Sequence, residues 1–516
     1  MKKITGIVAA GHEATARAAQ LMLQSGGNAF DAVVAAMLTA CVAEPVLASP
    51  GGGGFLTALP AGEDPMVYDF FAHTPQMRRP REAIDFRPIV ADFGTASQVF
   101  HIGMGAMATP GFVRGLFEIH RRHCRMPLAS LIQPARTLAR EGVEINPFQD
   151  LIARIVAPIL KATPSALELH AAPDDPTRLI SEGQRHRLPA LADFLSAIER
   201  EGEALFYEGE VGRRLIEDNR QLGGHLQRQD LEGYRVVRRK PLIQRYRDAR
   251  LITNPLPALG GPLIAFSLRL LESEKLGLET AGGPQHLSHL AHVMRLTQDL
   301  RGDARIGSAQ ILSSEVAERY RARLRQGGIS RRGTTQISIA DSAGNLASMT
   351  LSNGEGCGYV IPQTGIMMNN MLGEEDLNPQ GFHHWPEDHR LASMMAPSLL
   401  LSDAGDAVVT GSGGSNRIRS AILQVISNLL DFHMPLDVAV SQPRIHYEGD
   451  LLSLEGGIAT ATAEALLSAF PKQQAWDRKS LFFGGAHSVR RDHKGELQGV
   501  GDERRGGVSL VAGPTA

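Results

Sequence analysis

Gly333-Thr334-Thr335-Gln336-Ile337-Ser338-Ile339-Ala340-Asp341 follows the basic pair Arg331-Arg332 and decides the fold. From Thr335 onward it alternates, with Thr335, Ile337 and Ile339 on one side and Gln336, Ser338 and Ala340 on the other, which predicts a half-buried strand. Asp341-Ser342-Ala343-Gly344-Asn345 supplies turn chemistry and Leu346 to Leu351 a return strand, so the unit reads as a hairpin. A threonine that directly follows glycine and opens a strand has a chemical use. Its hydroxyl can attack the Gly333 carbonyl, where no side chain blocks the approach. Hydrolysis of the resulting ester frees the Thr334 α-amine, whose ordinary pKa is about 8, as a general base on the nucleophile's own residue. The other reading is a plain hairpin with a polar start.

The chain has 516 residues, 43% hydrophobic and 21% charged, as in a globular protein with a large core. That length suggests about three domains at ~150 residues each, yet no linker, repeat or low-complexity segment divides it. The net charge of −2 gives no reason to expect nucleic acid or a membrane surface as partner. Three cysteines, Cys41, Cys124 and Cys357, argue against a disulfide framework. The apolar run behind Met1-Lys2-Lys3 stops at Ala10 without a cleavage site, and no apolar run approaches the length of a membrane span, so a cytoplasmic location is expected.

Before Thr334 the pattern is helix-rich. Helices are predicted from Ala14 to Gln24, from an N-cap at Asn28 with Asp31 in the first turn, and over Leu128–Glu141, 151–160, 191–200, 211–219, 264–272 and 286–299. Ser49-Pro50 and the tetraglycine Gly51–Gly54 lead into a strand at Phe55. No Gly-Lys-Ser/Thr follows, so close backbone approach explains the glycines better than phosphate binding. Beyond Thr334 strands dominate (334–340, 346–351, 365–369, 398–402, 407–411 and 507–511), interrupted by one helix from Arg417 to Phe432. The whole reads as one interleaved α+β body.

Gly411-Ser412-Gly413-Gly414-Ser415-Asn416 precedes that helix. Glycines there leave backbone N–H groups aimed at an anion, as an acyl-transfer oxyanion requires, or they simply make a turn that admits the helix.

A Gly-Thr strand start and a Gly-Gly helix start together resemble the gamma-glutamyltransferase family of N-terminal-nucleophile hydrolases. The likeness extends from Gly26-Gly27-Asn28-Ala29-Phe30-Asp31-Ala32, Glu44-Pro45 and Gly51–Gly54 through Thr109-Pro110-Gly111, Gln133-Pro134-Ala135 and Asp230-Leu231. It continues through Asp341, Gly344-Asn345, Asn369-Asn370, Ser393–Pro397 and Gln442-Pro443-Arg444-Ile445-His446 to Asp502 with Arg504-Arg505-Gly506-Gly507. The resemblance implies a four-layer αββα sandwich and self-cleavage between Gly333 and Thr334. Residues 1–333 would form the large-subunit part and 334–516 the small-subunit part of one domain, the two fragments staying associated. Thr334 is then the nucleophile, the Gly413 and Gly414 amides form the oxyanion hole, and Ser352 helps to position the nucleophile. Ser393 matches a serine that holds the substrate carboxylate. The pair Glu374-Glu375 lies near the acid that grips the α-amino group, and Asn353 near a substrate-binding asparagine, across a short deletion. The expected reaction passes a gamma-glutamyl or related acyl group from an amide donor to water or an amine, without cofactor or metal. Glutathione metabolism is the family's setting, and a homodimer stays open.

The departures from the pattern carry information too. Phe71 falls where the family has an arginine for the substrate α-carboxylate, Met394 where it has a second serine, and Met371 where a glutamine follows Asn-Asn. The stretch from Glu374 to Ser393 is short for a lid. A bidentate guanidinium replaced by phenyl removes the strongest carboxylate contact available. These changes keep a second reading alive, an unprocessed, catalytically degenerate member that acts as a binding protein. His383, His384 and His389 match no standard zinc spacing. Cys357, the one rival nucleophile, has no evident histidine partner.

Overall fold

The computed structural model describes residues 4–92, 97–272, 281–302, 311–312, 334–378 and 381–513. The stretch Thr335–Asp341 is a strand and returns antiparallel as Leu346–Ser352, with Thr335 opposite Leu351. Asp341 ties the turn, its carboxylate accepting the N–H groups of Ala343 (3.0 Å) and Asn345 (2.9 Å).

Seven strands make the first sheet. In chain order they are β1 (Gly6–Ala10), β2 (Gly53–Leu59), β3 (Met66–Phe70), β4 (Val237–Arg239), then β7 (Thr335–Asp341), β8 (Leu346–Ser352) and β13 (Val508–Ala512). The second sheet holds β5 (Leu242–Tyr246), β6 (Ala249–Thr253), β9 (Ser398–Ser402), β10 (Ala407–Thr410), β11 (Ser488–Arg491) and β12 (Leu497–Val500). The first sheet runs β4-β3-β2-β8-β7-β1-β13 and the second β5-β6-β9-β10-β11-β12, so residues on both sides of position 334 contribute to each.

Ile7, Ala9, Ala340 and Leu346 of the first sheet meet Ile252, Leu399, Val409 and Val489 of the second. Helices α1 (Glu13–Gln24) and α2 (Ala29–Ala43) cover the far face of the first sheet, against Val8, Ala10, Ile337, Ile339 and Met349. On the second sheet's far face lie α3 (Gly260–Leu271), α4 (Pro284–Gly302) and α5 (Arg417–Leu430), against Leu251, Leu400 and Val408. The order is helix, sheet, sheet, helix. α2 is buried along its whole length, as its nearly all-round apolar sequence requires, and Asn28 and Asp31 close a capping box at its start.

The alternation in β7 is as read, but the strand is buried on both faces, not half-buried. The second sheet covers the polar face, and hydroxyls and an amide replace water there. Gln336 Nε2 donates to Ser338 Oγ (3.1 Å) and Ser348 Oγ (3.0 Å), Thr350 Oγ1 donates to Gln336 Oε1 (2.6 Å), and Ser338 Oγ to the His487 carbonyl (2.8 Å). Other differences are local. The helix expected over 151–160 is two, Pro147–Ile155 and Ala157–Leu160, and the strand expected at 365–369 shrinks to Ile366–Met367. Helices Leu436–Ser441 and Thr460–Leu466 join α5 in the C-terminal part. The tetraglycine is a close-approach site. A Cβ on Gly52 would stand 2.4 Å from the Ser352 carbonyl oxygen, and one on Gly54 2.4 Å from that of Thr350.

Candidate active site

The register that sets Thr335 against Leu351 brings Ser352 level with Thr334, at the end of the hairpin. Both are buried and line one pocket. Phe71, just past β3, Glu374, Ser393 and Met394 line the same pocket, as do Met371 and Asp376. Four chain segments far apart in sequence thus converge on Thr334. Ser352 Oγ accepts the Gly354 N–H at 3.1 Å, and Ser393 Oγ the Met395 N–H at 3.1 Å, which fixes both hydroxyls.

Four of the expected residues stand outside this wall, namely Asn353, Glu375, Gly413 and Gly414. Asn353 is buried but turns away, its Nδ2 donating to the Met367 carbonyl at 3.3 Å. The acidic pair splits, with Glu374 buried in the pocket wall and Glu375 exposed on the short helical turn Glu375–Leu377. Asp376, which the sequence reading passed over, takes the inward position. It accepts Ser415 Oγ at 2.8 Å and pairs with Arg301 at 3.5 Å. Gly333 lies outside the described residues.

Gly413 backs directly onto Thr334, so closely that a Cβ there would stand 2.0 Å from the Thr334 carbonyl oxygen. Gly414 has φ +120° and Ser415, a non-glycine, φ +52° just before α5, a bend held by the Ser415–Asp376 bond. The pocket wall at this loop is Ser415, with the two glycines behind it. Arg505 completes the arrangement, its Nη1 donating to the Thr334 carbonyl at 3.3 Å. Burial pulls its pKa down to about 10. A fully buried ionic cluster anchors the neighbouring residues. Arg444 pairs with Asp502 at 2.7 Å, and Arg504 with Asp502 at 3.1 Å and Glu455 at 2.6 Å. Although burial pushes the Asp502 carboxyl upward, the two guanidiniums hold it well below the usual range.

On the opposite face of β7 the Thr335 hydroxyl donates to Glu44 at 2.7 Å, and Thr15 donates to the same carboxylate at 2.9 Å. Burial raises the Glu44 pKa to about 6, against the lowering by these hydroxyls. Relative to an ordinary pKa of 4.5, the folded chain keeps this proton through a higher pH. Stability should therefore fall by about 2 kcal/mol as pH rises from below 4.5 through 6, where the unfolded chain has already released it. Glu44→Gln should flatten that part of a urea-unfolding pH series, and a variant with the wild-type slope would contradict the assignment.

The rival nucleophile is set apart. Cys357 is fully buried and burial pushes its thiol up to about 12, far from a reactive thiolate. Among the described residues no His, Cys, Asp and Glu side chains gather as a metal-binding group, and His383 packs against Phe86 and His225.

The four layers are an αββα sandwich, the fold of the N-terminal-nucleophile hydrolases, and Thr334 stands buried at the head of a central strand. The chain matches the gamma-glutamyltranspeptidase family over residues 15–512 and belongs to it. It is 28% identical to the Acylase ACY 1 proenzyme of Pseudomonas sp. (strain SE83) over 530 residues, covering 98% of this chain and 93% of that one. It is also 28% identical to the glutathione hydrolase proenzyme of Pseudomonas aeruginosa over 548 residues, covering 99% and 95%. Cephalosporin acylase from Bacillus halodurans shares the fold, with a TM-score of 0.85 at 22% identity over 99% of this chain and 96% of that one.

Proposed function

We propose that the chain is a self-processing amidohydrolase or acyltransferase whose nucleophile is Thr334. The observation that carries this reading is the convergence of Ser352, Glu374 and Ser393 on a buried Thr334 against which Gly413 is packed. In maturation the Thr334 hydroxyl attacks the Gly333 carbonyl, the Gly333–Thr334 C–N bond breaks to leave an ester and the Thr334 α-amine, and water hydrolyses the ester to the Gly333 carboxylate and the free hydroxyl. The fragments 1–333 and 334–516 stay together through their shared sheets. In turnover the freed amine takes the hydroxyl proton as Thr334 attacks the donor's amide carbon. The tetrahedral oxyanion is stabilised by the Gly413 and Gly414 amides. Collapse expels the amine product, protonated by the same base, and water or an acceptor amine releases the acyl group. Ser352 orients the hydroxyl, while Ser393 and the Glu374 carboxylate hold the donor.

The donor class follows from the pocket wall. Phe71, Met371, Met394 and Met395 line it, and among the described lining residues there is no arginine or lysine. Arg390 lies just behind, yet it is engaged with Asp69 at 3.5 Å, with the Phe71 carbonyl and with Tyr234. A donor with a free α-carboxylate at Phe71 would find no guanidinium among the described residues of the pocket wall. We therefore assign an acyl end less polar than gamma-glutamyl. Relatives of equal identity are named an acylase and a glutathione hydrolase, which supports amide cleavage and leaves the acyl group to the pocket wall.

The test compares a gamma-glutamyl anilide with an unbranched aliphatic acyl anilide, using wild type and Phe71→Arg, both checked for processing. Charged hydrogen bonds contribute roughly 1.5–3 kcal/mol, so the arginine should raise gamma-glutamyl turnover at least about tenfold and lower that of the aliphatic anilide. High wild-type gamma-glutamyl activity that the arginine does not improve would overturn the donor assignment. The second reading, an unprocessed binding protein, is favoured by the same Phe71 and Met394. An uncut wild-type chain would select it.

A further inference from the structure

Helix α5 carries a guanidinium in its first turn that the reaction above does not use. Arg419 is only 8% exposed, yet among the described residues it forms no ion pair, and its Nε has no hydrogen-bond partner. The carboxylates nearby are taken by other groups. Glu448 accepts Asn416 Nδ2, faces His446 Nε2 at 3.2 Å and pairs with Arg417 at 3.7 Å. Asp376 is held by Arg301 and Ser415. His446, which burial keeps neutral, meets Ser420 Oγ at 2.7 Å through Nδ1. Among the described residues, then, no carboxylate is paired with the buried Arg419 guanidinium. A charge in that position is strongly unfavourable without a counter-ion.

Arg419 lines a cavity beneath the start of α5, with Asn416, Ser420, His446, Ser267 and Thr297. The room there is that of one water-sized particle, against the side of α5 that carries its N-cap Asn416, Arg419 and Ser420. We propose that this cavity binds a single halide ion, chloride in ordinary buffers, paired with the Arg419 guanidinium. A monatomic anion satisfies the charge within the space, whereas sulfate or a carboxylate is too large. The site is separate from the Thr334 pocket, although Asn416 and Arg301 connect it to the loop that bears Asp376.

Two measurements on the full-length protein test this. Crystals soaked in sodium bromide should give an anomalous peak in the cavity beside Arg419. Thermal unfolding at fixed ionic strength should shift upward by roughly 1–3 °C when sodium chloride or bromide replaces sodium gluconate, and Arg419→Met should lose that increment. If the methionine variant fails to fold, the anomalous map decides alone. An empty cavity in bromide, or a halide increment that survives in Arg419→Met, would overturn the proposal.

Discussion

Thr334→Ala is expected to remain one uncut chain and to lose amide turnover by a factor of about 10⁴–10⁶, the loss that follows removal of a nucleophile acting as part of a unit. The effect has two sources. Without the hydroxyl nothing attacks Gly333, so no α-amine is released, and without that amine any other nucleophile lacks its base. Thr334→Ser keeps the hydroxyl and should still be cut, more slowly, because serine lacks the methyl group that fixes the rotamer at a buried strand start. Fold should be intact in both, since Ile337 and Ile339, not Thr334, pack against the helices. An alanine variant that is cut at the same bond would assign the cleavage to another group.

Gly413→Ala should reduce turnover by about 10²–10³, the range for loss of one oxyanion donor. The reason is steric before it is electrostatic. The added methyl would be 2.0 Å from the Thr334 carbonyl oxygen, and the obstacle is backbone, not the movable end of a side chain. Either the loop or the head of β7 must shift, and a shift of either separates the N–H donors from the reacting carbonyl. Gly414→Ala tests the same loop by another route, because φ +120° is a conformation that side chains rarely adopt. Circular dichroism and the unfolding midpoint distinguish a local shift from a loss of fold. A folded Gly413→Ala enzyme with wild-type rates would remove this loop from the reaction.

The central hairpin was legible because two physical signals coincide there, strict alternation and a turn rich in Asp, Gly and Asn. In the second sheet β9 and β10 were legible as well, but β5, β6, β11 and β12 were not. Its strands β5 and β6 lie in an arginine-rich stretch where Arg245 and Arg250 are set among apolar residues, and β11 ends on the adjacent pair Arg490-Arg491. These arginines are satisfied by partners distant in sequence, Arg245 by Asp403 and Arg490 by Asp406. In a single sequence such residues look like a solvated connection. The site divides similarly. Thr334 before a strand, Ser352 at a strand's end and Gly413 ahead of a helix are fixed by element boundaries, which a pattern can locate. Of Glu374, Glu375 and Asp376, which ones face the pocket depends on a single short turn, and no periodicity specifies that. Arg301 and Arg419 were missed because both come from ordinary amphipathic helices, and only the packing of α4 beside α5 brings their charges together.

The most direct test of the account is the intact mass and N-terminal sequence of purified wild-type protein after prolonged incubation. The account predicts two co-purifying fragments, the smaller beginning at Thr334. A single chain of 516 residues that keeps the Gly333–Thr334 bond would contradict it.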